Sequence, residues 1–226
     1  MDVEEKFVSM AALISEPTRA RMLWNLLDGR AYTASELAIA ADVSSTSASN
    51  HLSKLLEADI LKVDVQGRHR YYSYSRDEVA YAVESLANLA GDQQVMKTAK
   101  PVKGVKFCRT CYDHLAGYVG VKIAEALVNQ NYVKSIAQEY EVTDAGWLWA
   151  TRLGIHRDEL IQKRRPVIKQ CLDWSERKPH IAGQFGAMML DEMLRNKWFK
   201  KTQFSRELIL TLKGKEMLEE YLSIVL

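Results

Sequence analysis

The chain carries one passage of text twice. "HLAGYVG" (114–120) returns 66 residues later as "HIAGQFG" (180–186), so that His114-Leu115-Ala116-Gly117 meets His180-Ile181-Ala182-Gly183 and Gly120 meets Gly186. The apolar stripe Leu115, Val119, Ile123, Leu127 meets Ile181, Phe185, Met189, Met193, at i+4 steps in both copies. Further on, "NYVK" (131–134) meets "KWFK" (197–200), and after a slip of two residues Thr143-Asp144-Ala145-Gly146 meets Thr211-Leu212-Lys213-Gly214. Upstream, Cys111-Tyr112-Asp113 resembles Cys171-Leu172-Asp173. Repetition of this detail predicts two equivalent structural units in one domain. Each copy reads as helix, strand, turn, strand, then a helix capped by Thr143 or Thr211. Glycine inside a helix costs roughly 1 kcal/mol against alanine, so the repeated glycines need a reason. Ala116, Gly117 and Gly120 are small residues on one helical face, which predicts a close approach by the equivalent helix of the other copy.

The first hundred residues read differently. "SEPTRARMLWNLLDGR" (15–30) predicts a helix capped by Ser15, with Pro17 in its first turn, Met22, Leu23, Leu26 and Leu27 on one face, and Gly29 at its end. "TASELAIAADVSSTSASNHLSKLLEADIL" (33–61) predicts two short helices about a turn at Asp42-Val43, with Thr33 and Glu36 at capping-box spacing. In the second of them Ala48, Leu52, Leu55 and Leu56 face one way, and Thr46, Ser49, Asn50 and Ser53 the other. Solvated helix faces usually carry Lys and Glu, the better helix formers. A face of short hydroxyls and amides suits close approach to a surface such as the major groove, where these groups reach base edges and phosphates. "ILKVDVQGRHRYYSYS" (60–75) then alternates as a hairpin does, with Gln66-Gly67 near the turn and Arg68, His69 and Arg70 at its tip. A cationic tip can straddle the DNA backbone or enter the minor groove.

"SEPTRARML", "TASELA", "VSSTSASNHLSKLLEADIL" and "GRHRYYSYS" stand in an order and spacing that resemble the winged helix-turn-helix repressors of the ArsR/SmtB type, over residues 5 to about 95. The resemblance implies a DNA-binding and dimerisation domain over 1–98 and a recognition helix from Ser44 to about Leu56. It also implies a homodimer built from the first helix (Phe7, Met10, Ala11, Ile14) and the helix after the wing (Val79, Val83, Leu86), and repression relieved by an inducer. The residues placed against double-stranded DNA are Ser44, Ser45, Thr46, Ser47, Ser49, Asn50, Lys54, Arg68, His69 and Arg70. Two features depart from the metal-sensing members. "SELAIAAD" holds no cysteine pair before the recognition helix, and "EVAYAVESLANLAGD" holds no histidine after the wing. The fold class expected is mainly α with small β-hairpins (α+β): the winged helix, then a domain over 99–226 of two winged-helix-like repeats, about 108–155 and 171–226.

Charge separates the same two halves. Residues 1–90 hold 9 Lys/Arg against 13 Asp/Glu, while residues 91–226 hold 22 against 16. A DNA-binding domain is usually basic, so contacts to phosphate rest on a few placed cations (Arg19, Arg21, Lys54, Arg68, Arg70) or on the basic second half. "QKRRP" (162–166) is either a solvated run or a contact to phosphates beside the operator. The Lys-rich stretch "GDQQVMKTAKPVKGVK" (91–106) is the expected joint. The acidic start "MDVEEKF" shows no secretory pattern, and no apolar run approaches the roughly 18–20 residues of a membrane span. Three cysteines, an odd number, fit a reducing cytoplasm better than a disulfide framework.

Those cysteines all lie in the duplicated half. Cys108, Cys111 and His114 form C-x2-C-x2-H, and Cys171, Asp173 and His180 form a partial second copy. Thiolate and imidazole suit zinc and softer ions such as cadmium, lead or cobalt. The pseudo-symmetry of the repeats then brings both sets toward one site, which neither copy completes alone. The spacing is no zinc-finger pattern, and two other readings stand beside it: buried structural residues, or a thiol redox pair Cys108/Cys111 with Arg109 lowering a thiol pKa. Met188, Met189 and Met193 read as core packing. Trp147, Trp149 and Trp198 read as core or as the lining of an apolar pocket. The function expected is a cytoplasmic, homodimeric transcriptional repressor and not an enzyme, with a soft divalent ion as one candidate inducer. The rival is a co-regulator that binds a protein partner through its second half.

Overall fold

Helix α1 (Val3–Ser15) starts where the carboxylate of Asp2 accepts from the backbone N–H of Glu5 and the Glu5 side chain returns the bond to Asp2 N–H. It ends because Pro17 forces the residue before it out of the helical region. Glu16 is extended, and its carboxylate accepts from the N–H groups of Thr18 and Arg19 at 3.1 and 2.8 Å, which makes it the cap of α2 (Pro17–Leu26). Ser15, the expected cap, is instead the last residue of α1. Arg19 is buried and donates to the carbonyls of Leu13 and Ala12, at 2.5 and 3.1 Å. It joins α1 to α2 and is not the phosphate contact considered above.

The short strand β1 (Tyr32–Thr33) leads into α3 (Ala34–Ala41), which carries the capping box of Thr33 and Glu36. Asp42 turns the chain in the left-handed region, and α4 (Ser45–Glu57) follows with Ser44 as its cap. β2 (Leu61–Gln66) and β3 (His69–Tyr74) form the expected hairpin, and β1 adds to the other edge of β3, giving the order β1-β3-β2. Helix α5 (Asp77–Ala90) closes this part. The core is apolar: Met22, Leu23, Leu26 and Leu27 from α2 and its end, Leu37 and Ala41 from α3, and Ala48, Leu52 and Leu55 from α4. The Tyr74 hydroxyl ties the wing to α2 by donating to the Leu23 carbonyl, 2.6 Å.

This computed structural model describes residues 2–90, 103–137, 139–160, 165–203 and 205–226. The chain divides into two compact units, Met1–Leu86 and Ala87–Leu226, so the division comes earlier than residue 98. Residues 91–102 of the expected joint lie outside the described residues. Among the described residues, no helix is long and apolar enough to cross a membrane.

The second unit is built from two copies of one pattern. The first runs β4 (Arg109–Cys111), β5 (His114–Ala116), α6 (Gly117–Asn129), β6 (Val133–Ile136), β7 (Glu139–Val142) and α7 (Asp144–Thr151). The second runs β8 (Lys169–Leu172), β9 (Pro179–Ala182), α8 (Gly183–Arg195), β10 (Phe199–Lys201), β11 (Leu208–Leu210) and α9 (Leu212–Leu222). Thr143 and Thr211 cap α7 and α9 as the sequence indicates. The expected order of helix, hairpin and capped helix is present in each copy. In front of it stands a short hairpin in place of the expected helix start, so His114 and His180 lie on strands.

The copies interlock. β4 lies against the second copy, with Thr110 N–H donating to Arg206 O and Leu208 N–H to Cys108 O. In the other direction, the Gln170 amide on β8 donates to Ser135 Oγ and Glu139 O of the first copy. Helix α6 packs on β9, α8 on β5, and β5 lies beside β9, while Gly120 and Ile123 of α6 and Gly186, Met189 and Met193 of α8 line one small cavity. The repeated glycines serve close packing chiefly within each copy. Gly117 and Gly183 turn from strand into helix at φ +80° and +87°, where side chains are strained. A Cβ at Gly120 or Gly186 would stand 2.7 or 2.5 Å from the carbonyl oxygen of Leu115 or Ile181. Glycine lets each helix press onto its own preceding strand. Met189 and Met193 are core, as are Trp149 and Trp198, and the Trp149 indole donates to Tyr221 O at 3.1 Å.

Candidate functional site

In the first unit, α4 is fixed on one side and open on the other. Ala48, Leu52 and Leu55 are buried; Ser44, Ser45, Thr46, Ser49, Asn50, Ser53 and Lys54 are exposed, and Ser47 is half-buried. Two of the hydroxyls already have local work: Ser44 accepts from Ser47 N–H, and Ser49 donates to Ser45 O. Thr46, Asn50, Ser53 and Lys54 stay on the outer face. Gly67 turns the wing at φ +61°, and Arg68, His69 and Arg70 are exposed at its tip. Arg21 is partly occupied, donating to Ala41 O at 3.3 Å. Lys54, Arg68 and Arg70 are exposed, and so is the rest of Arg21.

The second unit holds a different kind of site, inside the fold. In the β4–β5 hairpin Cys111 stands directly across from His114, and in the β8–β9 hairpin Cys171 stands directly across from His180. Because β5 packs beside β9, the two cross-strand pairs meet. Cys111 Sγ lies 3.8 Å from Cys171 Sγ, and His114 Nε2 lies 3.1 Å from His180 Nε2. One donor atom from each of the four residues falls within 4.8 Å of all the others. Both imidazoles are at most 1% exposed.

Carboxylates stand behind the histidines. Asp113 Oδ1 is 3.1 Å from His114 Nδ1, and Asp113 is in turn gripped by Arg165 at 2.5 and 3.0 Å. Asp173 Oδ2 is 3.6 Å from His180 Nδ1. Asp173 also pairs with the fully buried Arg109 at 2.7 Å and accepts from the N–H of Gly117 at 2.7 Å. Burial alone would raise the Asp173 carboxyl, but Arg109 and His180 bring it down to about 2. Burial would likewise lower His114, and the Asp113 carboxylate and Cys171 sulfur outweigh it, raising His114 to about 9. The Cys111 thiol, followed by the two imidazoles, holds Cys171 far below the usual thiol range against the opposing effect of burial.

Of the six residues singled out in this half, Cys111, His114, Cys171 and His180 converge. Cys108 does not join them. It is a fully buried member of the hydrophobic core, and burial pushes its thiol up despite Arg109. That removes the physical basis for a Cys108/Cys111 redox pair, because the charge of Arg109 is directed to Asp173 and Cys111 faces Cys171. Asp173 stands behind the cluster rather than in it. Asp113 and Arg165 were not singled out, although Cys-Xaa-Asp occurs in both copies and was the available signal. Residues 162–164 of the basic run lie outside the described residues, and Arg165 is engaged with Asp113 and the Gly183 carbonyl.

The Helix-turn-helix domain family matches residues 14–64, from the end of α1 into β2. The "uncharacterized HTH-type transcriptional regulator YdfF" of Bacillus subtilis (strain 168) is 42% identical over 217 residues, covering 95% of this chain and 96% of that protein. Among solved structures, HlyU from Vibrio cholerae N16961 is 24% identical, covers 39% of this chain and 97% of its own, and has a TM-score of 0.36. The winged helix-turn-helix fragment of Mb0332 from Mycobacterium bovis, described as a possible ArsR-family transcriptional regulator, is 18% identical, covers 44% and 91%, and has a TM-score of 0.38. The relative that runs the length of both units is a regulator by name, and the first unit has the helices, hairpin and exposed polar face of a DNA reader. The chain belongs to the HTH-type transcriptional regulators and is a DNA-binding regulator.

Proposed function

We propose that the protein is a homodimeric repressor that reads a palindromic operator with α4, grips its backbone with the wing, and is released by a signal received in the second unit. The observation that carries this reading is the outer face of α4. Thr46, Asn50, Ser53 and Lys54 project from a helix whose opposite face is locked into the core, which is the arrangement a recognition helix requires. The dimer is supported by apolar surface left uncovered on two helices: Val3, Phe7 and Val8 on α1, which buries none of its residues, and Leu86 and Leu89 on α5. Uncovered apolar side chains in such number mark an association surface.

Operator binding by the full chain, measured against random duplex, tests the reading. Asn50→Ala is expected to cost about 1–3 kcal/mol on the operator and much less on random DNA. Arg68→Ala is expected to weaken both duplexes alike and to reduce the salt slope by about one unit. Equal losses for Asn50→Ala on both duplexes would remove α4 from base readout, and an unchanged slope for Arg68→Ala would remove the wing from the interface.

A further inference from the structure

We propose that Cys111, His114, Cys171 and His180 form a closed tetrahedral zinc centre that joins the two copies of the repeat. The sulfur–sulfur and nitrogen–nitrogen distances fit the ion. Zn–S bonds of about 2.3 Å and Zn–N bonds of about 2.0–2.1 Å place the sulfurs of a tetrahedron about 3.8 Å apart and the nitrogens about 3.3 Å apart. The observed separations are 3.8 Å for the sulfurs and 3.1 Å for the nitrogens. Two thiolates and two imidazoles in a tetrahedral set select zinc among the common divalent ions.

The surroundings also suit a positive charge at the same point. Asp113 and Asp173 stand at the Nδ1 sides of the two imidazoles, which favours the proton on Nδ1 and leaves a lone pair on each Nε2. The two Nε2 atoms face each other across 3.1 Å, beside two sulfurs. Shared protons can hold these four atoms together, and an ion binds by displacing them. Two thiolates balance Zn(II), and each carboxylate behind them already has its own arginine, Arg165 for Asp113 and Arg109 for Asp173. All four positions are filled by protein, with Cys111, His114 and His180 buried and Cys171 half-buried, so the centre offers no open site for substrate. Its action is to fix the β4–β5 hairpin of one copy to the β8–β9 hairpin of the other.

The full chain, purified in a phosphine reductant, is expected to carry one zinc per chain. After chelation it should take up one equivalent of Co(II) with the intense visible bands of tetrahedral S2N2 coordination, and zinc should displace them. Cys171→Ser and His180→Gln should abolish that spectrum, and Cys108→Ser should keep it. Asp113→Asn, which leaves all four ligands in place, should weaken zinc affinity about 10–100-fold. A folded, reduced wild type that gives no tetrahedral cobalt spectrum would overturn the centre. So would a Cys171→Ser protein that binds cobalt as wild type does, or a Cys108→Ser protein that loses it. The wild-type titration and Asp113→Asn stand even where a ligand variant fails to fold. No readout involves DNA, so the repressor reading and the zinc centre can fail independently.

Discussion

Helices α4 and α6 are both thirteen residues long, yet α4 buries three residues and α6 buries seven. The first unit has a mainly apolar interior, with Arg19, Asp28 and Glu84 the charged groups buried among its described residues, and leaves the polar side chains of α4 and the cations of the wing on the outside. The second unit puts thiols, imidazoles, carboxylates and arginines into its interior, around the junction of two copies. The difference is one of exposure to partner. A reader of DNA must present its polar groups to a large external polyanion, so burial would disable them. A centre that joins two copies needs low dielectric and fixed partners, and water would weaken it.

The comparison breaks most severely at the Arg109–Asp173 pair. Both side chains are fully buried, 2.7 Å apart, and Arg109→Met leaves the Asp173 carboxylate uncompensated. A loss of about 3–5 kcal/mol is expected. Urea unfolding followed by tryptophan emission measures it, since four of the five tryptophans lie in the second unit. A loss below 1 kcal/mol would mean that the interior of the second unit does not depend on paired charge. Gly186→Ala comes next. Its new Cβ meets backbone, Ile181 O at 2.5 Å, which cannot swing aside, so a loss of about 1–3 kcal/mol is expected although alanine is the better helix former. A gain in stability would show that α8 can lift from its strand.

Smaller effects belong to the first unit. Glu16→Ala removes the cap of α2, worth about 1 kcal/mol. Burial acts to raise the Glu16 carboxyl, and the N–H groups of Arg19 and Thr18 outweigh it, so the group is lowered in the folded state. Its contribution is therefore present above the ordinary value of 4.5 and is lost as pH falls through the lower folded value. The difference between wild type and Glu16→Ala should shrink in acid, and a constant difference from pH 6 to pH 3 would contradict the cap. Smallest of all is the stability change for Asn50→Ala, expected within about 0.5 kcal/mol. A larger loss would show that the face assigned to DNA also supports the fold.

The first unit was readable because its local signals agree with its tertiary roles. The capping box Thr33-Glu36, the apolar period of α4 and the alternation of the wing each depend on neighbours a few residues away. Ser15 was the exception. Either Ser15 or Glu16 can cap a helix by composition, and it is the restriction imposed by Pro17 that selects Glu16. Arg19 was misread for a different reason, since its partners, the carbonyls of Ala12 and Leu13, exist only once α1 has ended beside it.

In the second unit the sequence alone determined the duplication, the Thr-capped helices, the glycines and the candidacy of the cysteines and histidines. It did not show the hairpins before α6 and α8. β4 and β5 span three residues each, all buried, so no alternation betrays them. Tertiary structure decided the rest. Cross-strand register puts Cys111 opposite His114 and Cys171 opposite His180, and the packing of β5 beside β9 brings the pairs together while leaving Cys108 in the apolar core. The physical reason is range. Caps, periods and repeats are written within a few residues or copied along the chain, whereas a buried cluster is fixed by strands sixty residues apart, whose register no local pattern encodes.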